Sequence, residues 1–420
     1  MDGIPARRPS LSHARPRLTM LIPPFELGRL PRIRFGAGTR TQAAELAAGF
    51  GSRALLVTGA QSLRASEPGR ALLESFRARG LELQSITIHG EPTPAQVDAA
   101  VREHRPGGID VVVGIGGGSA LDAAKAIAGL LPSGRSVMDH LEEVGRGVPY
   151  QGPATPFIAV PTTAGTGSEA TRNAVLSEVR RGGFKRSFRH EALVAQWAVV
   201  DPDLLETCPR PLIAADGMDA LTQLLESYVS RRAGAFSDAL AEHGLSAARA
   251  GLLAWYEGSG EPGAARAAMA YAALISGITL AHAGLGVVHG LSAPLGGYFP
   301  IPHGVACGTL LAAATAANVA ALRARDPIGP GLARYARAWW ILAGQQAPAA
   351  ETSIPSDAPE RLVALLEDWS RRLELPRLGR YGVDERDLPR IVAGGQGGST
   401  KSNPVPLTDD EMTGILRARL

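Results

Sequence analysis

The segment from residue 111 to residue 125 constrains the fold more than any other part of the sequence. It reads VVVGIGGGSALDAAK, so an apolar run passes through three consecutive glycines into a helix-forming stretch. Glycine lets a backbone approach a ligand closely, and a helix N-terminus offers unpaired N–H groups and a partial positive charge. The segment therefore predicts a buried strand, a phosphate-binding turn and a helix, unless the turn is purely structural. The candidate ligand-facing residues are Gly116, Gly117, Gly118, Ser119, Asp122 and Lys125.

Short strand-like runs alternate with helix-like stretches up to about residue 205. The runs that predict strands are residues 32–35, 54–58, 83–89, 110–115, 156–160 and 194–200. The stretches that predict helices are residues 41–48, 70–79, 94–103 and 121–131, and residues 173–179 and 183–190 predict a hairpin laid on the sheet. This alternation is typical of βαβ units with a parallel sheet.

The sequence changes character after Asp201. Alanine- and leucine-rich stretches such as residues 211–230, 237–255 and 264–283 predict long helices, and strand-like runs nearly vanish. We therefore predict an α/β, Rossmann-like nucleotide-binding domain at residues 22–205 and an all-helical domain at residues 206–420. Residues 1–21 are predicted to be a disordered leader or a miscalled start, with translation beginning at Met20.

The composition is that of a neutral globular protein. Apolar residues make up 45% of the chain and charged residues 20%, which excludes a disordered protein. The net charge of +3 arises in the first 19 residues, since the rest carries as many acidic as basic residues, and no nucleic-acid-binding motif is found. Two cysteines outside any paired spacing fit a reducing, cytoplasmic location. No uninterrupted apolar run predicts a membrane span.

A second polar loop follows the predicted strand at residues 156–160. It reads PTTAGTGSE and carries the hydroxyl groups of Thr162, Thr163 and Thr166. Parallel-sheet proteins bind ligands at the carboxyl ends of their strands, so these side chains are candidates for ligand contacts. Taken alone, the loop is better explained as a plain threonine- and glycine-rich turn.

Four side chains of the helical half are candidates for a metal site. Asp219 and Gln223 are four residues apart and share a helix face, while His289 and His303 each precede a glycine. A carboxylate, two imidazoles and an amide oxygen are donors for zinc or iron. The spacing alone favours the alternative, in which each histidine is a hydrogen-bonded core residue.

Taken together, these motifs resemble those of the iron-containing, or group III, alcohol dehydrogenase family, which has the dehydroquinate synthase-like fold. GGGSALDAAK at residues 116–125 resembles the family's phosphate loop, and PTTAGTGSE at residues 161–169 resembles its threonine loop. DALTQ at 219–223, VHG at 288–290, PLG at 294–296 and PHG at 302–304 follow in the family's order. The resemblance covers residues 22–420. It implies an oxidoreductase that uses NAD or NADP and a divalent metal, iron or zinc, to interconvert a small alcohol and its aldehyde or ketone.

The resemblance also implies a role for each matching residue. Gly117, Gly118 and Ser119 would hold the cofactor pyrophosphate, and Asp122 would lie near the nicotinamide. The residues that would line the nucleotide are Thr162, Thr163, Thr166, Asn173 and, at the ribose, Lys185. The residues that match metal ligands are Asp219, His289 and His303. Asp122 and His303 are the catalytic candidates.

Two positions depart from the family pattern. Gln223 stands where a fourth ligand histidine is most common, and Ala293 stands where a further histidine usually relays a proton. The site would therefore either bind metal with a weakly held Gln223 or work without metal. His282 is a conceivable substitute ligand. The proton would pass to a metal-bound water, a ribose hydroxyl or His303.

The end of the strand at residues 54–58 bears on the choice of cofactor. Many NAD-preferring enzymes place an acidic residue there for the ribose 2′-hydroxyl, whereas this chain has Gly59 and Ala60, followed by Ser62 and Arg64. The missing carboxylate leaves room for a 2′-phosphate, so NADPH is as well supported as NADH.

Three other functions are compatible with parts of the sequence. One is a metal-independent enzyme similar to maleylacetate reductase, and another is a sugar-phosphate dehydrogenase or lyase of the same fold. The second is disfavoured because the helical half contains only one lysine, Lys401. The third is a nucleotide-binding protein whose metal site has decayed. The expected partners are a small alcohol or aldehyde and further copies of the chain, with no nucleic acid and no membrane.

Overall fold

The first half of the chain is built around a parallel sheet. The computed structural model describes residues 24–60, 66–345 and 355–420, together with residues 22 and 63. The six strands of the sheet are β1 (Arg32–Phe35), β2 (Arg53–Gly59), β3 (Glu82–Ile88), β4 (Val111–Gly116), β5 (Phe157–Pro161) and β8 (Trp197–Val200). They lie in the order β1-β8-β5-β4-β2-β3, and all neighbours are parallel. The predicted parallel sheet is confirmed.

Among the described residues, four α-helices and a hairpin cover this sheet. The helices are α1 (Ala43–Ala48), α2 (Glu67–Ala78), α3 (Pro94–His104) and α4 (Gly118–Leu130). The hairpin strands β6 (Asn173–Glu178) and β7 (Phe184–Arg189) are antiparallel. β6 packs against α4, whereas β7 packs against a helix of the second half. The hairpin therefore bridges the two halves. The prediction that it lies directly on the sheet is wrong.

One predicted strand is shorter than expected. Residues 194–200 were all assigned to a strand, but β8 begins only at Trp197. Residues 194–196 form irregular chain between the strand and a 3-10 turn, Glu191–Leu193. The ring of His190 caps this turn by accepting a hydrogen bond from the Ala192 N–H.

The second half is helical. Its helices are α5 (Arg210–Val229), α6 (Ala235–Glu257), α7 (Pro262–Ala283), α8 (Val287–Tyr298), α9 (His303–Arg325), α10 (Pro330–Leu342), α11 (Ala358–Arg372), α12 (Leu388–Gly395) and α13 (Asp409–Arg417). α5 is central and packs against α6, α7 and α9. The predicted fold class is confirmed, whereas the boundary near residue 205 stays a prediction. The leader lies outside the described residues, as do Ser62, Arg64 and most of the alanine- and proline-rich segment before α11.

Two of these helices are long and apolar enough to cross a membrane. They are α7 and α9, and 61% and 78% of their respective apolar windows are buried inside the protein. Because they contribute to the core of the helical half, they are core helices of the protein. Their alanine-rich, nearly uncharged sequences reflect burial on most sides.

The two halves meet closely where the threonine loop touches α7. A Cβ atom placed on Gly277 would lie 2.1 Å from the carbonyl oxygen of Gly167, so no side chain fits there. Gly167 itself has φ near +60°, a conformation that glycine adopts without steric cost. These two glycines allow the end of β5 to approach the helical half and place a cleft between them.

Candidate active site

A cleft with a volume of about 490 Å³ lies between the carboxyl edge of the sheet and the helical half. It brings together most of the predicted site residues: Gly117, Gly118, Ser119, Asp122, Thr162, Thr163, Thr166, Asn173, Lys185, Asp219, Gln223, His289 and His303. A larger groove of about 930 Å³ runs along α10 and contains none of them. The smaller cleft is therefore the candidate active site, because it joins the glycine turn to the histidines.

The turn between β4 and α4 needs glycine at successive positions. A Cβ on Gly116 would lie 2.7 Å from the Cβ of Ala120, and a Cβ on Gly118 would lie 2.6 Å from the Cγ2 of Thr166. Gly117 is the N-cap of α4 and provides no side-chain cap. The helix N-terminus is therefore directed at the cleft with its backbone N–H groups uncovered, which is the arrangement that binds phosphate.

Lys125 lies beneath the cleft and does not line it. The side chain is fully buried, and its ammonium Nζ donates to the Ser168 carbonyl (2.8 Å), the Asn173 carbonyl (2.6 Å) and the Thr171 hydroxyl (2.9 Å). An ammonium has only three protons, so none is left for a cofactor. The prediction that Lys125 contacts the ligand is therefore corrected: it ties α4 to the threonine loop and β6.

Asp122 lines the cleft and belongs to the same network. Its Oδ1 accepts a hydrogen bond of 2.5 Å from the Ser168 hydroxyl and lies 3.6 Å from the Lys125 ammonium. Burial raises the pKa of Asp122, although Lys125 opposes this effect. The carboxyl group is thus held in one orientation at the floor of the cleft.

Lys185 reaches the cleft from β7 and pairs with an acid that the sequence did not reveal. Its ammonium lies 2.8 Å from Oε2 of Glu91, which also lines the cleft. Burial alone would raise the pKa of Glu91, but the charge of Lys185 outweighs it and lowers the pKa. The ionised Glu91 partly neutralises the charge of Lys185, the residue that was predicted to reach the ribose.

Gly59 ends β2 beside the turn and does not line the cleft. A Cβ built on Gly59 would have no atom within 4 Å, and Ala60 follows it without a carboxylate. The end of β2 is therefore open on the side where the sheet's carboxyl edge would meet the ribose of a nucleotide.

Three predicted metal ligands converge in the helical half. The Asp219 Oδ1 lies 3.3 Å from the His289 Nε2 and 3.8 Å from the His303 Nε2. Burial would raise the pKa of Asp219, but the two imidazoles lower it to about 2. Asp219 Oδ1 is buried and has no hydrogen-bond partner among the described residues. A buried carboxylate oxygen with no hydrogen-bond donor of its own is suited to bind a cation.

Glu226 orients one of these imidazoles and was missed by sequence reasoning. It lies seven residues after Asp219 on α5, and its Oε2 lies 2.7 Å from the His289 Nδ1. Its other oxygen accepts the backbone N–H of Val288 at the start of α8. A carboxylate can only accept, so Nδ1 carries the proton and Nε2 faces Asp219. The sequence signal for Glu226 was its spacing of seven residues from Asp219, which places both acids on one face of α5.

Gln223 is not turned for metal binding. Its amide nitrogen donates to the Asp219 Oδ2 at 3.1 Å, and its oxygen accepts a bond of 2.6 Å from the Ser276 hydroxyl. A carboxylate beside the amide requires the NH₂ group on that side. In this arrangement Gln223 is a hydrogen-bond donor that holds Asp219, and its role as a weak ligand stays a prediction.

His282, the conceivable substitute ligand, is wrong for that role. It bonds to the Ile278 carbonyl and accepts the Gly28 N–H, and it belongs to a different, smaller cavity. The fourth group near Asp219 is instead Cys307, a buried thiol that the sequence reasoning did not consider. The available signal was its spacing of four residues from His303, which puts both on one face of α9.

Comparison with known proteins identifies the family. Residues 31–202 match the model described as iron-containing alcohol dehydrogenase, and residues 213–420 match the C-terminal model of the Fe-containing alcohol dehydrogenase family. The chain is 31% identical to the NAD-dependent methanol dehydrogenase of Bacillus methanolicus, over 88% of this chain and 92% of that protein. The chain belongs to the iron-containing alcohol dehydrogenase family.

Two further relatives agree with this assignment. The chain is 30% identical to the NADPH-dependent butanol dehydrogenase of Clostridium saccharobutylicum, over 92% of this chain and 96% of that one. The crystal structure of a 1,3-propanediol oxidoreductase matches with a TM-score of 0.83 at 28% identity, covering 95% of this chain and all of the other. The predicted activity class is confirmed: this alcohol dehydrogenase is an NAD(P)-dependent oxidoreductase of a family that uses a divalent metal.

Proposed function

We propose that the cleft binds NAD(P) at the glycine turn and the substrate beside Asp219, His289 and His303. The observation that carries the proposal is their meeting in one cleft, because neither an anion-binding turn nor an acid–histidine cluster alone would define this chemistry. When bound, the nicotinamide supplies the hydride donor or acceptor, and the divalent ion supplies a Lewis acid for the substrate oxygen.

The three side chains fit a divalent ion. Asp219 provides an ionised oxygen without a protein donor, and Glu226 fixes the His289 tautomer that leaves Nε2 free to bind. Such a carboxylate–histidine pair is a common support of metal sites. This fit favours the metal-assisted reaction over the metal-independent alternative and over a decayed site.

We assign His303 to the metal rather than to proton transfer. An imidazole that binds through Nε2 carries its remaining proton on Nδ1 and cannot accept another. The Nδ1 of His303 is buried and has no hydrogen-bond partner among the described residues, so it does not lead to solvent. With Ala293 in place of a relay histidine, the proton of the alcohol leaves through a ribose hydroxyl or water.

Asp122 is proposed to hold the nicotinamide end of the cofactor, while Ser119 and the turn hold its pyrophosphate. Thr162, Thr163, Thr166 and Asn173 line the path between these ends. Lys185 is proposed to reach the ribose, and Asp122 is kept in place by Ser168. These residues bind and orient the cofactor, whereas the metal site at Asp219, His289 and His303 would polarise the substrate oxygen.

The substrate is proposed to be a small primary alcohol or its aldehyde, in the cytoplasm. The methanol, butanol and 1,3-propanediol enzymes to which the chain is similar support this class. Ala293 lines the cleft where a histidine would occupy more of it. The extra volume favours aldehydes longer than acetaldehyde.

The proposal is tested by following NADH and NADPH oxidation with aldehydes of one to eight carbons, with metal content measured on the same samples. His289→Ala and His303→Ala should each lose the metal and lower kcat/KM by about a hundredfold or more. His282→Gln is the matched control, because this histidine lies outside the cleft. Full activity of a metal-free His289→Ala protein would contradict the proposal.

A further inference from the structure

We infer that Cys307 is the fourth protein ligand of the metal and takes the place that Gln223 does not fill. The inference rests on the proposed metal site at Asp219, His289 and His303. It assigns this chain a donor set of one carboxylate, two imidazoles and one thiolate.

The position of Cys307 follows from its spacing on α9. It lies one helical turn after His303, so both side chains project from the same face of the helix. The thiol is fully buried, and its Sγ lies 3.7 Å from the His289 Nε2 and 3.7 Å from the His303 Nε2. One donor atom from each of the four side chains lies within 4.8 Å of all the others.

These distances match a tetrahedral site. Bond lengths of about 2.3 Å to sulfur and about 2.0–2.1 Å to nitrogen and oxygen imply sulfur–nitrogen separations of about 3.6 Å and nitrogen–oxygen separations of about 3.3 Å. The observed sulfur–nitrogen distances are 3.7 Å. The nitrogen–oxygen distances are 3.3 and 3.8 Å. These four separations lie within about 0.5 Å of the tetrahedral values, and the remaining donor pairs are less than 4.8 Å apart.

The alternative fourth ligand is already engaged. The Gln223 oxygen accepts from Ser276, and its NH₂ group donates to Asp219. Turning the amide around would bring its oxygen against the Asp219 carboxylate and would break both hydrogen bonds. Cys307 needs no such rearrangement, because its sulfur already faces both histidines.

The thiolate changes what the site binds and leaves the substrate side open. On binding, the thiol gives its proton to solvent and the sulfur forms the bond to the metal. A thiolate is a soft ligand that favours zinc over the harder ions. Asp219, His289 and His303 line the cleft, whereas Cys307 does not. The sulfur therefore lies on the protein side, and the substrate oxygen would approach from the cleft side as a fifth ligand.

The test replaces the metal by cobalt(II) and looks for sulfur coordination. The apoprotein of the full chain is loaded with Co²⁺, and its near-ultraviolet spectrum is searched for a thiolate-to-cobalt charge-transfer band. We expect the band in the unmodified protein and in Cys208→Ser, which removes the chain's only other cysteine, and we expect its loss in Cys307→Ser. Circular dichroism of Cys307→Ser checks that the protein is folded.

A second measurement separates Cys307 from Gln223. Zinc affinity, measured by competition with a chromophoric chelator, should fall by about a hundredfold in Cys307→Ser and by less than about tenfold in Gln223→Leu. Stoichiometric cobalt without the band would overturn the thiolate ligand while leaving the proposed metal site intact. Failure of the unmodified protein to bind cobalt would overturn both. A larger loss of zinc affinity in Gln223→Leu than in Cys307→Ser would assign the fourth position to Gln223.

Discussion

At the residue scale, single glycines decide whether the cofactor turn can form. Gly117 and Gly118 are needed for two reasons at once: the nucleotide must approach the backbone, and the threonine loop already crosses above them. A Cβ on Gly117 would lie 3.2 Å from the Cγ2 of Thr163. Close packing between two loops therefore fixes the shape of the site before any ligand binds.

We expect Gly118→Ala to impair cofactor binding with little loss of global stability. The added methyl group would lie 2.6 Å from the Cγ2 and 2.8 Å from the Oγ1 of Thr166, so the threonine loop must move away from the turn. The dissociation constant for NAD(P)H, followed by nicotinamide fluorescence, should rise by about tenfold or more. Gly414→Ala is the control, because a Cβ at Gly414 has no atom within 4 Å and Gly414 is remote from the cleft. Unchanged cofactor binding in Gly118→Ala would refute the close-contact argument.

A second residue-scale prediction concerns the choice of cofactor. We expect Gly59→Asp to shift the enzyme toward NADH, because a carboxylate at the end of β2 repels a 2′-phosphate and accepts a bond from the 2′-hydroxyl. The ratio of kcat/KM for NADPH to that for NADH should fall by about tenfold or more. Gly59→Asn has nearly the same size without the charge; an equal effect from both substitutions would point to bulk rather than charge.

At the element scale, Lys125 of α4 fastens the threonine loop and β6 to the helix that follows the turn. Removing its ammonium leaves buried acceptors at Ser168, Thr171 and Asn173 without this donor, and it leaves Asp122 without a nearby cation. We expect Lys125→Met to lower the free energy of unfolding by about 3–5 kcal/mol. Urea denaturation measures this, and the exposed Lys401→Met serves as control. A change below about 1 kcal/mol would show that the ammonium is not a structural tie.

Glu169, in the 3-10 turn at the end of the threonine loop, makes stability depend on pH. Its side chain is buried, and burial raises its pKa from 4.5 to about 7 despite the nearby Lys125. Between these values the folded protein retains a proton that the unfolded chain releases, so the free energy of unfolding falls as the pH rises. The loss is on the order of 3 kcal/mol above pH 7 and is absent below pH 4.5.

Glu169→Gln isolates this effect. The difference in unfolding free energy between the unmodified protein and the variant should decrease steadily from pH 5 to pH 8, because the amide does not titrate. Urea denaturation at several pH values measures it. A difference that does not change over this interval would mean that Glu169 is ionised throughout in the folded state.

Local motifs of this site were predictable from the sequence, whereas contacts between distant segments were not. The turn at 116–119 and the grouping of Asp219, His289 and His303 were predictable because their motifs are local and the resemblance supplied their partners. Lys125 was misassigned because its acceptors at Ser168, Thr171 and Asn173 lie more than 40 residues away along the chain. Cys307 and Glu226 were missed because they become neighbours of His289 only when α5, α8 and α9 pack together.

At the scale of the whole molecule, β1 is an edge strand that the described chain leaves uncovered on one side. All four of its residues are exposed, and Ile33 and Phe35 are 37% and 39% exposed. Ile22, Phe25 and Leu27 add further exposed apolar side chains just before it. An open edge with apolar side chains is a place where a second chain can pair, and this supports the expected homo-oligomer.

We expect the enzyme to be a dimer or larger assembly that pairs through this edge. Ile33→Lys should shift the sedimentation coefficient toward that of the monomer, because a lysine on an open strand edge opposes pairing with another strand. Ile328→Lys is the matched control, since Ile328 is 98% exposed and lies on the helical half. Sedimentation velocity at micromolar concentration distinguishes the outcomes: a monomeric unmodified protein would contradict the assembly, and an assembly untouched by Ile33→Lys would place the interface on another surface.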